Sequence, residues 1–471
     1  MARFATALVL AASIPFAHAA DWPQFRGPNG SGISDAVNLP VEFGVSRNVL
    51  WKTSLPPGHS SPVLAGDRIF VAGAEEEKLL TVCLRREDGS VIWRREAPRA
   101  RVSEMNRLNH PASPSPATDG SNVYVFFGDF GLLSYGPDGN ERWRVPLGPF
   151  DNWMGVASSP IVADGKVVLV CDQDSGSFMV AVDRDTGDLV WRTERPEYTR
   201  GFATPTVYRG AGSPPQLIVP GAYQVGGYSL DDGVKLWWAR GIAFEVKSLA
   251  VMHNGMLYVH GWSSTGNAVN DRLPLYADAL SKHDADGDGR FSEGEAFLPM
   301  MRERFRSYFD FDRDGYVDEG DWNNTQMRLA SRSALLAIRL GGRGDLTESA
   351  IVWAYRKALP NVPSPLLYRN VLYLVKDGGI LTSLDPESGA VSKQGRLPGA
   401  LGRYWASPVA ADGKVYVASE EGRVTVVRAG AEWDVLSTND LGDDVFATPA
   451  IEPGRIYVRT RQALYCFGQS N

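Results

Sequence analysis

A hairpin ending in tryptophan recurs along this chain, and no other feature restricts its fold so tightly. Val180–Trp191 reads VAVDRDTGDLVW: an apolar strand, a tight Asp-Thr-Gly-Asp turn, and a second strand closing on Trp191. Alternating apolar residues bury one face on each side of the turn, and Gly187 supplies the backbone freedom the turn requires. Looser copies end at Trp93, Trp143 and Trp237, each with glycine four residues earlier, at Gly89, Gly139 and Gly233. Leu384–Lys393 keeps the turn but sets Lys393 at the tryptophan position. Self-similarity of this kind means an array of supersecondary units.

A second marker sets the count. Ser or Thr followed by Pro opens a strand at Ser61, Ser115, Ser159, Thr204, Ser364, Ser407 and Thr448, and Ser248-Leu249 fills the slot once. The intervals are 54, 44, 45, 44, 116, 43 and 41 residues. A four-stranded propeller blade takes about 40–45 residues, so the long interval holds one blade and an insertion of roughly 72. Proline suits the first residue of a strand, where its missing N–H costs no ladder bond. The last unit, Thr448–Phe467, has residues for only three strands, and Val49–Leu55 (VLWKTSL) is an orphan strand with Trp51 in the docking position. Closing the ring with strands from both ends removes the open sheet edge. The expected fold is all-β: an eight-bladed β-propeller closed by an N-terminal strand, with a small α-helical insertion in the fifth blade.

The pattern A-x-D-x-x-T-G-x-x-x-W at Ala181–Trp191 resembles the quinoprotein-type (PQQ-like) propeller repeat, and WPQFRGP at Trp22–Pro28 resembles the leader of exported bacterial propellers of that kind. The resemblance implies that each Trp docks its blade on the next through stacking and its indole N–H. That is a fold signature, shared by members that bind no quinone. In repeat type and blade number the chain also resembles the propeller lipoprotein of the outer-membrane β-barrel assembly machinery, although no Cys stands where a lipid anchor requires one.

Residues 1–19 read as an export signal: Arg3 is the sole charge, Phe4–Phe16 is largely apolar, and Ala17-His18-Ala19 supplies small residues for cleavage. The expected divisions are then a leader packed on the propeller (20–48), the closing strand with blades 1 to 5 in part (49–264), the insertion (265–330), and the remainder of blade 5 with blades 6–8 (331–471). No later run of 18 apolar residues predicts a membrane span, so a soluble, monomeric, periplasmic or secreted protein is expected. The formal charge of −7 is spread along the chain and argues against nucleic acid as a partner. Cys83, Cys171 and Cys466 each fall in an apparent strand, and their spacing demands no disulfide, so buried inert thiols are expected.

The insertion carries the sharpest site signal. In His283–Glu295 (HDADGDGRFSEGE), Asp284, Asp286, Asp288, the Arg290 carbonyl, Ser292 through a water, and Glu295 occupy positions 1, 3, 5, 7, 9 and 12 of a calcium loop. Gly289 stands at the sharp turn and Phe291 points to the local core. These oxygen donors at this spacing suit Ca²⁺ and resemble an EF-hand. A second loop, Asp310–Asp321 (DFDRDGYVDEGD), offers Asp310, Asp312, Asp314, the Tyr316 carbonyl, Asp318 and Asp321. Asp321 is one methylene shorter than the usual Glu, which predicts weaker Ca²⁺ affinity or more tolerance of Mg²⁺. A helix is expected before the first loop (Leu275–Lys282) and another between the loops, with Leu298, Met301, Phe305 and Phe309 on one face. So compact a pair suits a structural clamp more than a sensor.

Catalytic and cofactor templates find little purchase. Quinoprotein dehydrogenases, the enzymatic alternative oxidising alcohols or sugars, carry adjacent cysteines against the quinone and a calcium inside the propeller. Here the cysteines stand apart and the acidic loops lie outside the ring, so no PQQ is expected. There is no CxxCH haem motif, no HxxxH zinc pair, no GxSxG and no P-loop. His253 and His260 read as strand-end histidines. The segments before each Ser/Thr-Pro strand converge on the axis of one face, carrying His59, Asn109, Trp153, Arg200, Phe202, Lys247, Arg403, Trp405, Asp444 and Phe446. Mixed charge and aromatic character there suits docking of a peptide or a small ligand, and the expected partners are envelope or secreted proteins or peptides. The expected role is a non-catalytic, calcium-binding interaction scaffold.

Overall fold

A computed structural model describes residues 22–469 apart from 104, 211 and 264–272; the expected export signal lies outside these residues. Eight antiparallel sheets form the ring of a β-propeller. Blades 1, 2 and 3 run from Val63 to Ala97, Ala117 to Pro146 and Ile161 to Glu194. Blade 4 spans Thr206–Arg240, blade 5 begins at Val251, and blades 6 and 7 cover Leu366–Arg396 and Val409–Asp440. Blade 8 joins Ala450–Gly468 to Val49–Ser54, with Trp51 opposite Cys466, so strands from both ends of the chain close the ring.

Every blade bends at one place. Between its third and fourth strands each sheet skips one residue two positions or less before the docking site, as between Ala181 and Val182 in blade 3. Such a bulge sharpens the local twist and re-aims the following side chain. In six blades the re-aimed side chain is a tryptophan, seated over a small partner as in Trp93 over Cys83, Trp143 over Ser134 and Trp191 over Ala181. Burial pushes the Cys83 and Cys466 thiols up to about 12, so they pack as small apolar groups rather than react.

Each indole then crosses to the next blade. Nε1 of Trp51, Trp93, Trp143, Trp191 and Trp353 donates to a turn carbonyl of Arg86, Pro137, Arg184, Leu230 and Pro386 at 3.0–3.3 Å. The turn glycine lies directly beneath: a Cβ on Gly187 would sit 2.9 Å from Trp143, and one on Gly233 would sit 2.7 Å from Trp191. Its left-handed backbone (φ 81° at Gly187) is thus needed twice, for the turn and for the approach of the neighbouring blade. Lys393 does the same work with another chemistry, its Nζ donating to Trp433 O at 2.6 Å. Trp237 departs from the pattern and bonds Gln216 Oε1 within its own blade, where Gly344–Asp345 adds a fifth, parallel strand.

The serines and threonines before the prolines build a second ring, around the axis. Ser61 N–H donates to Ser115 Oγ, Ser115 to Ser159, and Ser159 to Thr204, at 2.9–3.0 Å. Leu249 N–H donates to Ser364 Oγ, Ser364 to Ser407, Ser407 to Thr448, and Thr448 back to Ser61, all at 3.0 Å. These bonds satisfy backbone donors that the axis would otherwise bury unpaired.

The leader crosses one end of this ring. Trp22 and Leu64 exchange backbone bonds of 3.1 and 2.9 Å, and Asn29 brackets Val207. The fully buried Arg26 reaches Pro365 O at 3.0 Å, and Gly32 with Ser34 clasps Ala410. Farther on, Phe43 N–H donates to Asn439 at 2.9 Å and Val41 O accepts from Ser437, covering blade 7, where Ser437 stands at the docking position. An excursion between Gly261 and Ala334 interrupts blade 5 and carries three helices: α1 (Tyr276–His283), α2 (Pro299–Arg304) and α3 (Glu319–Ala330). The face expected to be one helix from Ala296 onward starts only at Pro299 and relaxes into a wider π-turn at Phe305–Phe309, still burying Met301, Phe305 and Phe309.

Candidate functional site

At the other end of the axis lies a cavity of about 280 Å³. Phe25 from the leader is its floor, and the hydroxyl ring at Ser61, Ser115, Ser159, Thr204 and Thr448 forms its lower wall. Leu108, Met154, Phe202, Trp262, Trp405 and Phe446 give the mouth an apolar rim. Six of the ten residues expected to converge here line it: His59, Asn109, Phe202, Lys247, Trp405 and Phe446. The other four go elsewhere. Trp153 is exposed beside it, Arg200 is buried in ion pairs, Arg403 is exposed, and Asp444 binds Arg461 at 2.8 Å.

His59 lies stacked on Phe446 with ring centroids 4.1 Å apart, and His110 is 5.2 Å away. Burial, reinforced by nearby positive groups, pushes His59 down to about 3 and His110 to about 4. Ser113 Oγ stands 3.5 Å from His59 Nδ1, but its hydrogen goes to Asn109 Oδ1 at 2.5 Å, so the imidazole does not activate it as a nucleophile. His260 is fully buried and donates to Pro363 O at 2.8 Å; burial holds it near 4, while His253 is exposed. These three histidines bind a proton more tightly in the unfolded chain, so stability is lost as pH falls from 6.5 toward 4. Thermal midpoints measured across that range are expected to drop steadily, and His260→Gln should flatten the slope.

One wall of the mouth is a buried ion network. Arg200 donates to Glu245 Oε1 at 2.9 Å and to Asp174, and Lys247 Nζ lies 3.5 Å from Glu245 Oε2. Burial works against the Glu245 charge, yet Lys247 and Arg200 hold the carboxyl below its ordinary range. Burial raises Asp174 to about 6. Glu245 takes a left-handed backbone (φ 59°) to reach both partners, a conformation no sequence pattern announces. The two cations are already matched by Asp174 and Glu245, and among the described residues the acidic groups able to hold a metal lie only in the insertion.

In that insertion Asp284, Asp286 and Glu295 bring carboxylate oxygens within 4.8 Å of one another, and so do Asp310, Asp312 and Asp321. The loops share a backbone pattern: Ala285 N–H donates to Glu295 Oε1 at 2.8 Å, and Phe311 N–H to Asp321 Oδ1 at 3.0 Å. They pair as two short strands, Phe291 with Val317 and Ser292 with Tyr316. Asp288 and Asp314 lie outside the clusters, each accepting the N–H two residues on, from Arg290 and Tyr316, at 2.8 Å. Asp318 caps α3 through Asp321 N–H at 2.9 Å, and Ser292 Oγ donates to Glu295 Oε2 at 2.8 Å. Trp322, fully buried among Phe291, Phe297 and Phe309, anchors the core beneath both loops.

Comparison with known proteins agrees with this architecture. A family model described as outer membrane protein assembly factor BamB matches residues 43–132, 100–245 and 327–471. Among solved structures, BamB from Moraxella catarrhalis is 12% identical, with a TM-score of 0.56, covering 89% of this chain and 98% of its own. A europium-containing methanol dehydrogenase is 10% identical, with a TM-score of 0.59, covering 96% and 98%. The quinohemoprotein alcohol dehydrogenase of Comamonas testosteroni is 12% identical, with a TM-score of 0.57, covering 96% and 81%. At these identities the likeness is one of fold. No curated protein matches by sequence.

Proposed function

The chain belongs to the outer membrane protein assembly factor BamB family, and from that premise we propose that it is a protein-binding propeller of the cell envelope, docking its partner at the axial mouth. One observation carries the reading. The mouth is a cavity closed from below by the chain's own Phe25 and rimmed by Phe202, Trp262, Trp405 and Phe446 beside a charge-balanced wall. Such a site takes an apolar side chain of a polypeptide while polar groups at its edge fix the backbone. Among the described residues no helix is long and apolar enough to cross a membrane. The paired acidic loops act in this reading as EF-hand-like calcium sites that keep the inserted arm folded.

A photo-crosslinking residue in place of Trp153, at the edge of the mouth, is expected to capture specific envelope proteins. Trp405→Ala with Phe446→Ala should lose them, and capture that survives the double substitution places the docking site elsewhere. Titration with pyrroloquinoline quinone in millimolar calcium is expected to leave tryptophan fluorescence unquenched. Saturable, stoichiometric quenching would replace this reading with an enzymatic one.

A further inference from the structure

We propose that the second acidic loop, Asp310–Asp321, is a divalent-cation site that governs the charged wall of the axial mouth. The inference rests on the calcium reading above and deepens it by joining the inserted module to the docking site.

Asp310 is 4% exposed, its Oδ1 has no hydrogen-bond partner, and that carboxylate lies within the 4.8 Å cluster with Asp312 and Asp321. A buried anionic oxygen without a donor is costly, and a cation is the partner that suits it. The cluster in the first loop is more exposed.

The loop also touches the propeller. Two of its side chains at non-ligand positions, Phe311 and Arg313, reach the propeller. Phe311 packs with Ala222, Tyr223 and Phe244, and Tyr223 Oη donates to Asn324 O at 3.3 Å. Arg313 pairs with Asp174 at 3.5 Å and with Asp151 at 3.6 Å. It does so from a left-handed backbone (φ 60°) at the position where the first loop uses Gly287 (φ 74°). A non-glycine residue holds that conformation only where its surroundings repay it. Ala285 and Gly287 occupy the corresponding positions of the first loop and offer no such reach.

From Arg313 the contacts run without a gap to the mouth. Asp174 holds Arg200, Arg200 holds Glu245, and Glu245 holds Lys247 on the cavity wall. Without a cation, three carboxylates within 4.8 Å repel one another and loosen the loop that presents Phe311 and Arg313. With one, the loop closes and both side chains are held on the propeller. The cation can bias the mouth because the docked loop, with Asp310 buried, binds it more tightly than the undocked one.

Hydrogen exchange on the full chain, with and without calcium as the only added ligand, tests this. Calcium is expected to slow exchange at residues 172–174, 199–202 and 244–247 by about 5–150-fold, the usual span of coupling between sites. Asp310→Asn with Asp321→Asn should abolish that response, whereas Glu295→Gln in the first loop should preserve it. Phe311→Ala with Arg313→Ala, which spares every ligand, should bind calcium with unchanged stoichiometry by calorimetry yet lose the response at the mouth. Calcium filling the second loop with no change at those segments would overturn the coupling and leave the calcium reading standing. Calorimetry showing no binding at either loop would overturn both.

Discussion

Replacing Arg195 by methionine is expected to destabilise the propeller by about 3–5 kcal/mol, the range for stranding one member of a buried ion pair. Arg195 and Asp172 are 0% and 1% exposed in their side chains, and they meet through two parallel bonds of 2.7 and 2.9 Å. The guanidinium also stacks 3.6 Å from the Tyr198 ring and donates to Tyr228 Oη in blade 4. The pair therefore ties the end of blade 3 to its neighbour. Methionine fills much of the volume but leaves the Asp172 carboxylate in an apolar space with no donor. Urea unfolding should show a lower midpoint at unchanged slope. The double substitution Arg195→Met with Asp172→Leu should recover most of the loss, because both charges then leave together. A double variant no more stable than the single one would mean that packing on Tyr198, rather than the stranded charge, set the loss.

How much of this was legible in the chain follows from whether a residue acts along the sequence or across blades. The period, the blade count and the closing strand were legible because turn, strand and tryptophan are neighbours in sequence. Gly187 was readable as a turn residue, but its second duty, lying beneath Trp143, belongs to the preceding blade. The Ser/Thr-Pro marker was readable through its proline. The hydroxyl acts on an amide 41–54 residues away in most blades, and at the closure between Thr448 and Ser61 on one 387 away. Lys393 shows that the donor to the next turn can be an ammonium as well as an indole.

The mouth was only partly legible for the same reason. Residues before each Ser/Thr-Pro strand face the axis by blade geometry, which brought Phe202, Trp405 and Phe446 into view. Phe25 arrives from the leader, and no local pattern says that the leader plugs the far end of the axis. Arg200 shares the predicted segment but turns away, because Asp174 and Glu245 offer it buried carboxylates. The acidic loops were legible as spacing, whereas the reach of Phe311 and Arg313 to Phe244 and Asp174 was not. Those contacts join the insertion to residues about 67 and 139 positions earlier in the chain.

In the first loop, Glu295→Gln is expected to weaken calcium binding by a factor on the order of a hundred or more, since affinity in such loops is set by ligand charge count and rigidity. Both Glu295 oxygens are already aimed: Oε1 accepts from Ala285 N–H at 2.8 Å, and Oε2 accepts from Ser292 N–H at 2.8 Å and from its hydroxyl. These donors fix the carboxylate beside Asp284 and Asp286 and draw its proton affinity down to about 2. The charged form is thus held ready without a cation, so little reorganisation opposes binding. Glutamine removes the charge and turns one of the two oxygens into a donor facing Ser292. Calorimetric stoichiometry should fall from two calcium ions to one. A site filled at one hundred times its dissociation constant adds about 2.7 kcal/mol to the fold it completes, and that increment should vanish with the site. Because Trp322 is buried beneath both loops, hydrogen exchange across Glu319–Ala330 reports the loss locally. Unchanged stoichiometry in the variant would show that Glu295 is no ligand and that its two backbone bonds serve the turn alone.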